Sequence, residues 1–377
     1  LKGYGILDYV TAWYFKAVNY LRGDHASTES TSDLTSELQE EIFGSPGNAE
    51  IRVGFVSTNS ITQGEQVGVL WPWLLQRGMH IQFAHRTFQW SNEARGKAAV
   101  HCVIIGIGSD NSVPKAIYDY LTTKSEPQAL KAGNINPYLV DAPDVVLHNR
   151  SRPICDVPAI GIGNKPIDGG NYLFTPEEKA EFIAQEPAAE AWFRRWIGSR
   201  EFINNIERWC LWLGDCPPEQ LRQMPLCLER VEAVRKLRLA SKSKPTNKLA
   251  ATPTRFHVEN IPDSEYLVIP KVSSERRTYI PIGYIGSDTL CGDAAFVALV
   301  ISPFHFGIIT SAMHMAWVRS VCGRLKSDFR YSAGIVYNNF PWPKKTSDKQ
   351  REKIADCARD VLAAREHHPD ASLADLY

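Results

Sequence analysis

Short apolar runs between Arg52 and Ile107 constrain the fold of this chain more than any other feature. Those at 52–57, 80–84 and 100–107 have the length and composition of buried strands, and the segment 60–76 carries apolar residues at helical spacing. The order strand, helix, strand, strand is typical of one end of a mostly parallel α/β sheet with an antiparallel edge. An α/β fold is therefore predicted for this part of the chain.

Two further segments precede the first of these strands. Apolar residues at helical spacing predict an amphipathic helix over Leu7 to Leu21. The segment 23–50 contains seven acidic residues and no Lys or Arg, and it is rich in Ser and Thr. This composition favours a solvated surface insertion, with a helical part at 34–42.

A cluster of Pro, Gly and Asn between Gly133 and Gly170 predicts a domain boundary, and 377 residues suit two domains. We expect one domain over 1–150, which includes the acidic insertion, a second over 151–345, and a C-terminal helix over 346–377. Thr175 and Glu178 form a capping-box pattern at the start of a helix. The rest of the second domain is predicted to contain a Trp-rich helical stretch over 188–240 and a last helix over 305–325. Between them, three strands are predicted at 255–258, 266–272 and 278–285.

Composition argues against several kinds of site. No run of about 18 apolar residues occurs, so no membrane span is expected. The eight cysteines are scattered without a C-x-x-C pair, which favours a reduced cytoplasmic protein without structural zinc. His305 and His314 have no acidic residue at ligand spacing, so no metal site is predicted. The chain starts at Leu1 with neither Met nor a signal-peptide pattern, and we expect it to be the middle of a longer polypeptide.

The net charge of zero conceals two basic regions in the second half of the chain. Residues 229–282 include eleven basic and six acidic residues, and residues 300–345 include six basic residues and one acidic residue. Such an excess favours a polyanion as partner, although a solvated basic face would give the same counts.

Four separated motifs carry a family resemblance. They are GFVSTNSITQGEQV (54–67), FAHRTFQW (83–90), AAVHCVIIGI (98–107) and GRLKSDFRYSAGIVYNNFPWP (323–343). Together they resemble the back half of a DNA adenine-N6 methyltransferase followed by its target-recognition domain, as in the MmeI-like type IIL restriction–modification enzymes. The resemblance extends over nearly the whole chain. It implies the C-terminal portion of a class I, Rossmann-like methyltransferase sheet followed by an α+β target-recognition domain, with double-stranded DNA as partner.

Two motifs of such enzymes are missing from this chain. The family's Asn-Pro-Pro-Phe/Tyr loop, which binds the target amino group, does not occur, and neither does the glycine-rich motif for S-adenosylmethionine. The runs GIGSD (106–110) and GIGN (161–164) have the wrong spacing and context for that motif. We therefore expect S-adenosylmethionine to serve the intact parent enzyme, and this chain alone to bind no cofactor and to be inactive. Its further partner would be the missing N-terminal half of the same polypeptide, with or without a nuclease domain.

The predicted chemistry begins with base flipping. Adenine inside a duplex cannot be reached, so the enzyme must extrude it and hold it against aromatic faces. The resemblance implies that Phe88 stacks on the flipped base, with Trp90 as its neighbour; packing of Phe88 in the core is the alternative. Asn59, Ser60 and Gln63 follow a predicted strand and are candidates to line the base or backbone side of the cleft. An ordinary helix N-cap at Asn59 or Ser60 is equally open.

Sequence readout is predicted for Lys326, Asp328 and Arg330, which alternate along the chain. On an extended segment all three side chains would point the same way. Lys can donate to guanine O6 and N7, and Asp can accept from cytosine N4. The resemblance implies that a Lys–Asp pair at this place selects one G·C base pair. A solvent-exposed charged strand gives the same alternation.

A second recognition element and a phosphate clamp complete the candidates. The element comprises Lys271, Ser274, Glu275, Arg276 and Arg277, with Asp293 as a partner of Lys271. The predicted clamp is a basic helix whose phosphate contacts would be independent of sequence; it comprises Arg230, Arg235, Lys236 and Arg238, followed by Lys242, Lys244 and Lys248. Arg95 and Lys97, near Phe88, are further candidates for phosphate contact.

Three functions remain open at this point. The first is the C-terminal part of a type IIL-like adenine methyltransferase. The second is a DNA-binding specificity module that docks onto a separate catalytic subunit, and the third is an unrelated α/β enzyme for a small ligand. An Asn-Pro-Pro-Phe/Tyr motif upstream in the same gene would favour the first function. The same motif in a separate neighbouring gene would favour the second. Salt-sensitive DNA binding would exclude the third.

Overall fold

The computed structural model describes residues 3–22, 52–90, 100–122, 125–299 and 301–377. The chain divides into two compact units. The first comprises Leu1–Arg150 with Ser320–Ser327, and the second comprises Ser151–Arg319 with Asp328–Tyr377. The predicted acidic insertion at 23–50, and Arg95 and Lys97, lie outside the described residues.

A five-stranded sheet is the centre of the first unit. Its strands are Val53–Thr58 (β1), His80–Trp90 (β2), Val100–Gly108 (β3), Lys115–Asp119 (β4) and Gln128–Ala132 (β5), in the order β1-β3-β2-β4-β5. Strand β3 is antiparallel to both β1 and β2, β2 and β4 are parallel, and β4 and β5 are antiparallel.

The expectation of a mostly parallel sheet with an antiparallel edge is therefore wrong for the strands described. Only the β2–β4 pair is parallel, and the reversed strand β3 lies inside the sheet. Residues 91–99 separate β2 from β3. A parallel crossover needs about a dozen residues or more. Because this connection is shorter, the two strands pair antiparallel.

Two α-helices pack on this sheet, Thr11–Leu21 (α1) and Val67–Leu75 (α2), and 3₁₀ turns occupy Tyr4–Ile6, Asn59–Thr62 and Gly64–Gln66. The core combines Tyr14, Val18, Leu70, Trp71 and Ile105 with other buried side chains. Both helices begin later than predicted. The segment 60–76 starts as two 3₁₀ turns because Gly64, with φ of 64°, cannot continue a right-handed helix. A further short strand, Gly323–Leu325 (β15), contacts the 3₁₀ turn Gly64–Gln66.

Two four-stranded sheets organise the second unit. The strands of this unit are Gly161–Ile162 (β6), Leu173–Phe174 (β7), Phe193–Ile197 (β8), Trp209–Leu211 (β9), Tyr266–Pro270 (β10), Val272–Ser273 (β11), Gly283–Ile285 (β12), Thr289–Cys291 (β13), Ala295–Ala298 (β14) and Asp328–Arg330 (β16). One sheet has the order β12-β10-β14-β6 and is antiparallel, and the other has the order β13-β8-β9-β7 with only β13–β8 parallel. Strands β11 and β16 pair antiparallel with each other.

The helices of the second half confirm one local signal. Thr175 and Glu178 form the predicted capping box at the start of Pro176–Gln185 (α3). The other helices are Ser199–Asn204 (α4), Pro218–Leu221 (α5), Pro225–Leu239 (α6), Lys244–Lys248 (α7), Pro303–Ile309 (α8), Ala312–Val321 (α9), Asp348–Glu366 (α10) and Leu373–Leu376 (α11), with 3₁₀ turns at Pro187–Trp192 and Leu249–Ala251 and a π-helical turn at Ala333–Tyr337.

Several predicted elements in this half are wrong in detail. The Trp-rich stretch 188–240 is not helical throughout, because Trp196 and its neighbours form strands whose side chains fill a buried core. The predicted strand 255–258 is reduced to a single bridge between Lys165 and Val258. The predicted helix 305–325 breaks into α8, α9 and strand β15, and the C-terminal segment forms two helices with a break after Glu366.

Within the described ranges, no helix has both the length and the apolar content needed to cross a membrane. In the same part of the chain, no group of three or more His, Cys, Asp or Glu side chains is arranged to hold a metal ion.

Candidate functional site

Phe88 lies on β2 at a β-bulge. His85 pairs with Ile104 and Phe88 with Cys102, so one extra residue of β2 is accommodated between them. The Phe88 ring stacks on Tyr120, with centroids 5.5 Å apart and planes 27° apart, and its centroid is 6.4 Å from that of Trp90. Phe88 is half-buried, and Trp90 is 49% exposed. The bulge thus keeps the Phe88 ring at the surface among aromatic residues and out of the aliphatic core.

A neutral polar pair supports this aromatic cluster. His85 Nδ1 and the Tyr120 hydroxyl are 2.8 Å apart, and the His85 ring stacks on Tyr118 with centroids 4.3 Å apart and planes 6° apart. Burial lowers the pKa of His85, and burial together with nearby Glu126 raises the pKa of Tyr120. Both side chains are therefore uncharged near neutral pH. Sequence reasoning missed Tyr118 and Tyr120; the only signal was two tyrosines at strand spacing 30 or more residues after Phe88.

The polar segment after β1 forms a compact cluster of hydrogen bonds. The Ser60 hydroxyl donates to the Asp8 carboxylate, and the Thr58 hydroxyl donates to the same oxygen at 3.2 Å. Asn59 is only 8% exposed, and its main-chain oxygen accepts a hydrogen bond from the Thr62 hydroxyl at 2.9 Å. Neither Asn59 nor Ser60 caps an α-helix, since α2 begins at Val67 after Gln66. The N-cap alternative is therefore wrong.

Gln63 and Gly64 continue this segment. Gln63 is half-buried, and within the described residues its Oε1 atom is buried without a hydrogen-bond donor. Gly64 has φ of 64°, and a Cβ atom there would lie 3.2 Å from the Gly323 Cα atom. The backbone of strand β15 can approach this segment so closely because both positions lack a side chain.

Replacing Gly64 with alanine is expected to lower the free energy of unfolding more than replacing Gly78. Both glycines have positive φ, which costs an L-residue about 1–2 kcal/mol, but an added Cβ at Gly78 meets nothing within 4 Å. The Gly64→Ala variant should therefore lose about 1 kcal/mol beyond the loss of Gly78→Ala. Denaturant unfolding of the two variants measures the difference. Equal losses would mean that the approach to Gly323 has no energetic importance.

Two strands that lie in the predicted recognition elements are adjacent in the second unit. Strand β11 pairs antiparallel with β16, with Val272 opposite Arg330 and Ser273 opposite Phe329. The Tyr331 main-chain N–H continues the pairing by donating to the Lys271 oxygen at 2.8 Å. Phe329 is buried, Arg330 is exposed and Asp328 is partly exposed. Asp328 and Arg330 thus lie on the face of β16 opposite to the buried Phe329.

Lys326 departs from the predicted arrangement. It lies in a turn with φ of 59°, between the end of β15 and the start of β16, and it is exposed. It therefore does not share a strand face with Asp328, and the predicted row of three side chains on one extended segment is wrong. Alternation places side chains on one face only where the backbone is extended, and the turn at Lys326 and Ser327 interrupts it.

Lys271 and Asp293 are brought together, although not by their charged groups. The Lys271 ammonium donates to the main-chain oxygen of Asp293 at 2.5 Å and lies 4.7 Å from the centre of the Phe296 ring. Burial lowers the pKa of Lys271, while the nearby Asp293 charge acts in the opposite direction. Lys271 is half-buried, and one of its three ammonium donors is used by the main-chain oxygen of Asp293.

The remainder of the second element forms a turn. Arg277 N–H donates to the Ser274 oxygen at 3.2 Å, and Arg276 N–H donates to the Ser274 hydroxyl at 3.4 Å. Glu275 and Arg276 are exposed. Arg277 is half-buried, and among the described residues its Nε atom is buried with no acceptor. The turn thus presents charged side chains at the end of β11.

Behind β16, a buried histidine supports the strand. His314 on α9 is 1% exposed, and burial lowers its pKa to about 3, so it is neutral. Its Nε2 atom lies 3.0 Å from the hydroxyl of Tyr331, the residue that follows β16. His314 therefore packs as a neutral core residue.

The predicted phosphate clamp is wrong for Arg238. This residue is 0% exposed, and its guanidinium donates to the main-chain oxygens of five residues at 2.8–3.0 Å. The acceptors are Pro166, Ile167, Leu249, Thr252 and Arg255. Arg230 lies against the Phe174 ring at 5.0 Å. The exposed members of the set are Arg235, Lys236, Lys242, Lys244 and Lys248.

The two glycine runs have structural explanations. A Cβ atom at Gly106 would overlap the Phe83 ring of the neighbouring strand, and one at Gly163 would overlap the main-chain oxygen of Gly292. These glycines make room for protein atoms and leave no cradle for a nucleotide-like ligand. Neither run fits an S-adenosylmethionine site.

Comparison with known proteins gives a consistent result. Residues 141–344 match the model of the MmeI target recognition domain, and residues 1–119 match that of the MmeI DNA-methyltransferase domain. The chain is 39% identical over 378 aligned residues to DNA methyltransferase A of Bacillus subtilis (strain 168), covering 100% of this chain and 39% of that protein.

A solved structure of the type IIL restriction–modification enzyme MmeI in complex with DNA is similar over 100% of this chain, with 48% identity and a TM-score of 0.89. The chain covers 47% of that structure's chain. It thus spans less than half the length of the two relatives described.

Proposed function

Since this chain belongs to the MmeI family, matching its methyltransferase and target recognition domains, we propose that it is part of a site-specific DNA adenine-N6 methyltransferase of a restriction–modification system. In this proposal the chain supplies base-flipping contacts and sequence recognition to a longer cytoplasmic enzyme. Residues 1–150 form the end of the catalytic domain, 151–345 the target-recognition domain, and 346–377 a C-terminal helical segment.

The observation that carries the proposal is the β11–β16 pair. Strands β11 and β16 lie in the two segments that the sequence predicts to read bases, about 50 residues apart, and they pair through hydrogen bonds. Antiparallel strands of a β-ribbon or β-sheet can enter the major groove, where Asp, Arg and Lys side chains distinguish base pairs. Asp328 and Arg330 on the ribbon, Lys326 at the preceding turn, and the turn Ser274–Arg277 are the proposed contacts. Lys271 and Asp293 are proposed to support them.

The topology of the first unit supports a Rossmann-like catalytic domain. Strands β1 and β2 are both antiparallel to β3 and so run in the same direction, with helix α2 between them in the sequence. This is a β-α-β connection with one reversed strand inserted. Among the described strands, β1 lies at an edge of the sheet, and Val56 on it is 50% exposed. We propose that this edge continues into further parallel strands of the catalytic domain, since an open apolar edge is otherwise prone to aggregation.

In the same proposal S-adenosylmethionine, bound by the rest of the enzyme, supplies the methyl group. Phe88, with Trp90 beside it, stacks on the flipped adenine, and Asn59 lies on the base side of the cleft. Of the alternatives, the separate specificity subunit is less favoured, because the matched regions of the two relatives are parts of longer single chains.

Base reading is tested with Lys326→Ala, Asp328→Ala and the double variant in the full-length enzyme. Each single change should reduce discrimination at one base pair by about fivefold to 150-fold, because a specific base contact contributes about 1–3 kcal/mol. If both side chains read the same base pair, the double variant should lose little more than either single variant. Competition binding with DNA substituted at each position of the methylated site gives the measurement, and methylome sequencing defines that site first.

The matched control is Lys242→Ala, an exposed lysine outside the ribbon. A phosphate contact there should weaken binding to all sequences alike and reduce the salt dependence by about one ion. Unchanged sequence preference in the Lys326 and Asp328 variants would refute the base-reading role.

A further inference from the structure

Phe88 is held in place by a network of side chains from a neighbouring strand. Its ring stacks on Tyr120, just after β4, at a centroid distance of 5.5 Å. The Tyr120 hydroxyl is 2.8 Å from His85 Nδ1, and His85 stacks in turn on Tyr118 of β4. The bulge in β2 between His85 and Phe88 brings both residues to the Tyr120 ring. Tyr120 therefore contacts two residues of the same strand, Phe88 and His85 of β2.

We propose that Tyr120, oriented by His85, is a positioning residue that sets the plane of Phe88 for stacking on the flipped base. This inference rests on the proposed function and adds to it the residues that hold the stacking ring. Stacking depends on the orientation of the two planes, and a small misplacement of a reacting group is costly to the rate.

The geometry restricts how a base can be received. Because Tyr120 stacks against one face of the Phe88 ring, a flipped base has the opposite face or the ring edge available. Without the Tyr120 ring, Trp90 would be the remaining aromatic neighbour of Phe88 among the described residues, with ring planes 53° apart.

Polar atoms give the network a defined hydrogen-bonding state. The lowered pKa of His85 and the raised pKa of Tyr120 leave both neutral near pH 7. A neutral phenol and a neutral imidazole can share one proton donor and one acceptor, so the contact costs no buried charge. The nearby ion pair of Arg86 with Asp119, at 2.7 Å, fixes the adjacent positions of β2 and β4.

The test compares Tyr120→Leu, Tyr120→Phe and Phe88→Ala in the full-length enzyme, with adenine-containing DNA to measure kcat and KM and with DNA that carries 2-aminopurine at the target position to measure emission. Tyr120→Leu should lower kcat roughly tenfold, with KM for DNA changed by less than about twofold, because only the stacking geometry is disturbed. The emission of the flipped 2-aminopurine should rise, as it should for Phe88→Ala, because stacking on the ring quenches it. Tyr120→Phe keeps the ring and should recover kcat to within about threefold.

The matched control is Leu121→Ala, the residue next to Tyr120 with 80% of its surface exposed, which should leave kcat and emission unchanged. If Tyr120→Leu does not fold, His85→Leu tests the same network, because it removes both the hydrogen bond to Tyr120 and the imidazole ring that contacts Tyr118 and Tyr120. It should lower kcat and raise the emission more than Tyr120→Phe, which removes the hydrogen bond alone. Wild-type kcat and emission in folded Tyr120→Leu, or in folded His85→Leu where Tyr120→Leu does not fold, would overturn the inference. If Phe88→Ala also keeps wild-type kcat, the proposed stacking function itself fails; if Phe88→Ala loses activity and the network variants do not, only the positioning role fails.

Discussion

Replacing Arg238 with methionine should destabilise the second unit by about 4 kcal/mol or more. The guanidinium is fully buried and donates to five main-chain oxygens. Removing one partner of a buried polar group costs about 1–3 kcal/mol for each group left unsatisfied, and breaking a buried charged contact typically costs about 3–5 kcal/mol. Methionine fills a similar volume, so the loss measures the hydrogen bonds more than the cavity. Denaturant unfolding of the chain measures it.

The matched control is Lys236→Met on the same helix, which removes an exposed charge and should change stability by less than about 0.5 kcal/mol. Arg238→Lys should fall between the two, because a lysine has three donors for the five oxygens. Should Arg238→Met keep its stability within about 1 kcal/mol and lose salt-dependent DNA affinity instead, Arg238 would be a phosphate contact and the structural role would be wrong.

Replacing Phe88 with alanine should depress methylation by the full-length enzyme about fivefold to 150-fold, with DNA affinity changed by less than about threefold. Base–aromatic stacking contributes about 1–3 kcal/mol, and about 1.4 kcal/mol corresponds to tenfold in rate. Because the base stacks only after it leaves the duplex, the loss falls on the catalytic step. Single-turnover methylation and equilibrium DNA binding separate the two quantities.

Phe83→Ala is the matched control, since it truncates the same residue type on the same strand. The Phe83 ring packs over Gly106 and lies 6.5 Å from the His85 ring, so its loss should lower stability and reduce the rate of the folded enzyme much less than loss of Phe88. Equal losses of DNA affinity and methylation in Phe88→Ala would indicate that Phe88 is a structural residue after all.

The recognition elements show what a local sequence pattern predicts and what depends on contacts between distant residues. Both were named from the sequence, because charged residues cluster at 271–277 and 326–330. Their pairing as β11 and β16 was not predicted, and the turn at Lys326 was mistaken for strand. The turn carries little signal, because Lys326-Ser327 contains no Gly, Pro, Asn or Asp, and Ser favours turns only weakly.

What the sequence determined by itself was local. The capping box at Thr175, the apolar runs of β1, β2 and β3, and the family motifs all depend on residues within one or two turns or one strand of each other. Tertiary structure alone decided that Arg238 is buried, that Tyr120 stacks on Phe88, and that β3 lies between β1 and β2. Each of these depends on contacts between residues far apart in the chain. Such contacts form when burial and hydrogen bonding in the whole unit offset the entropy cost of closing the loops between them. A short stretch of sequence contains no information about these distant partners.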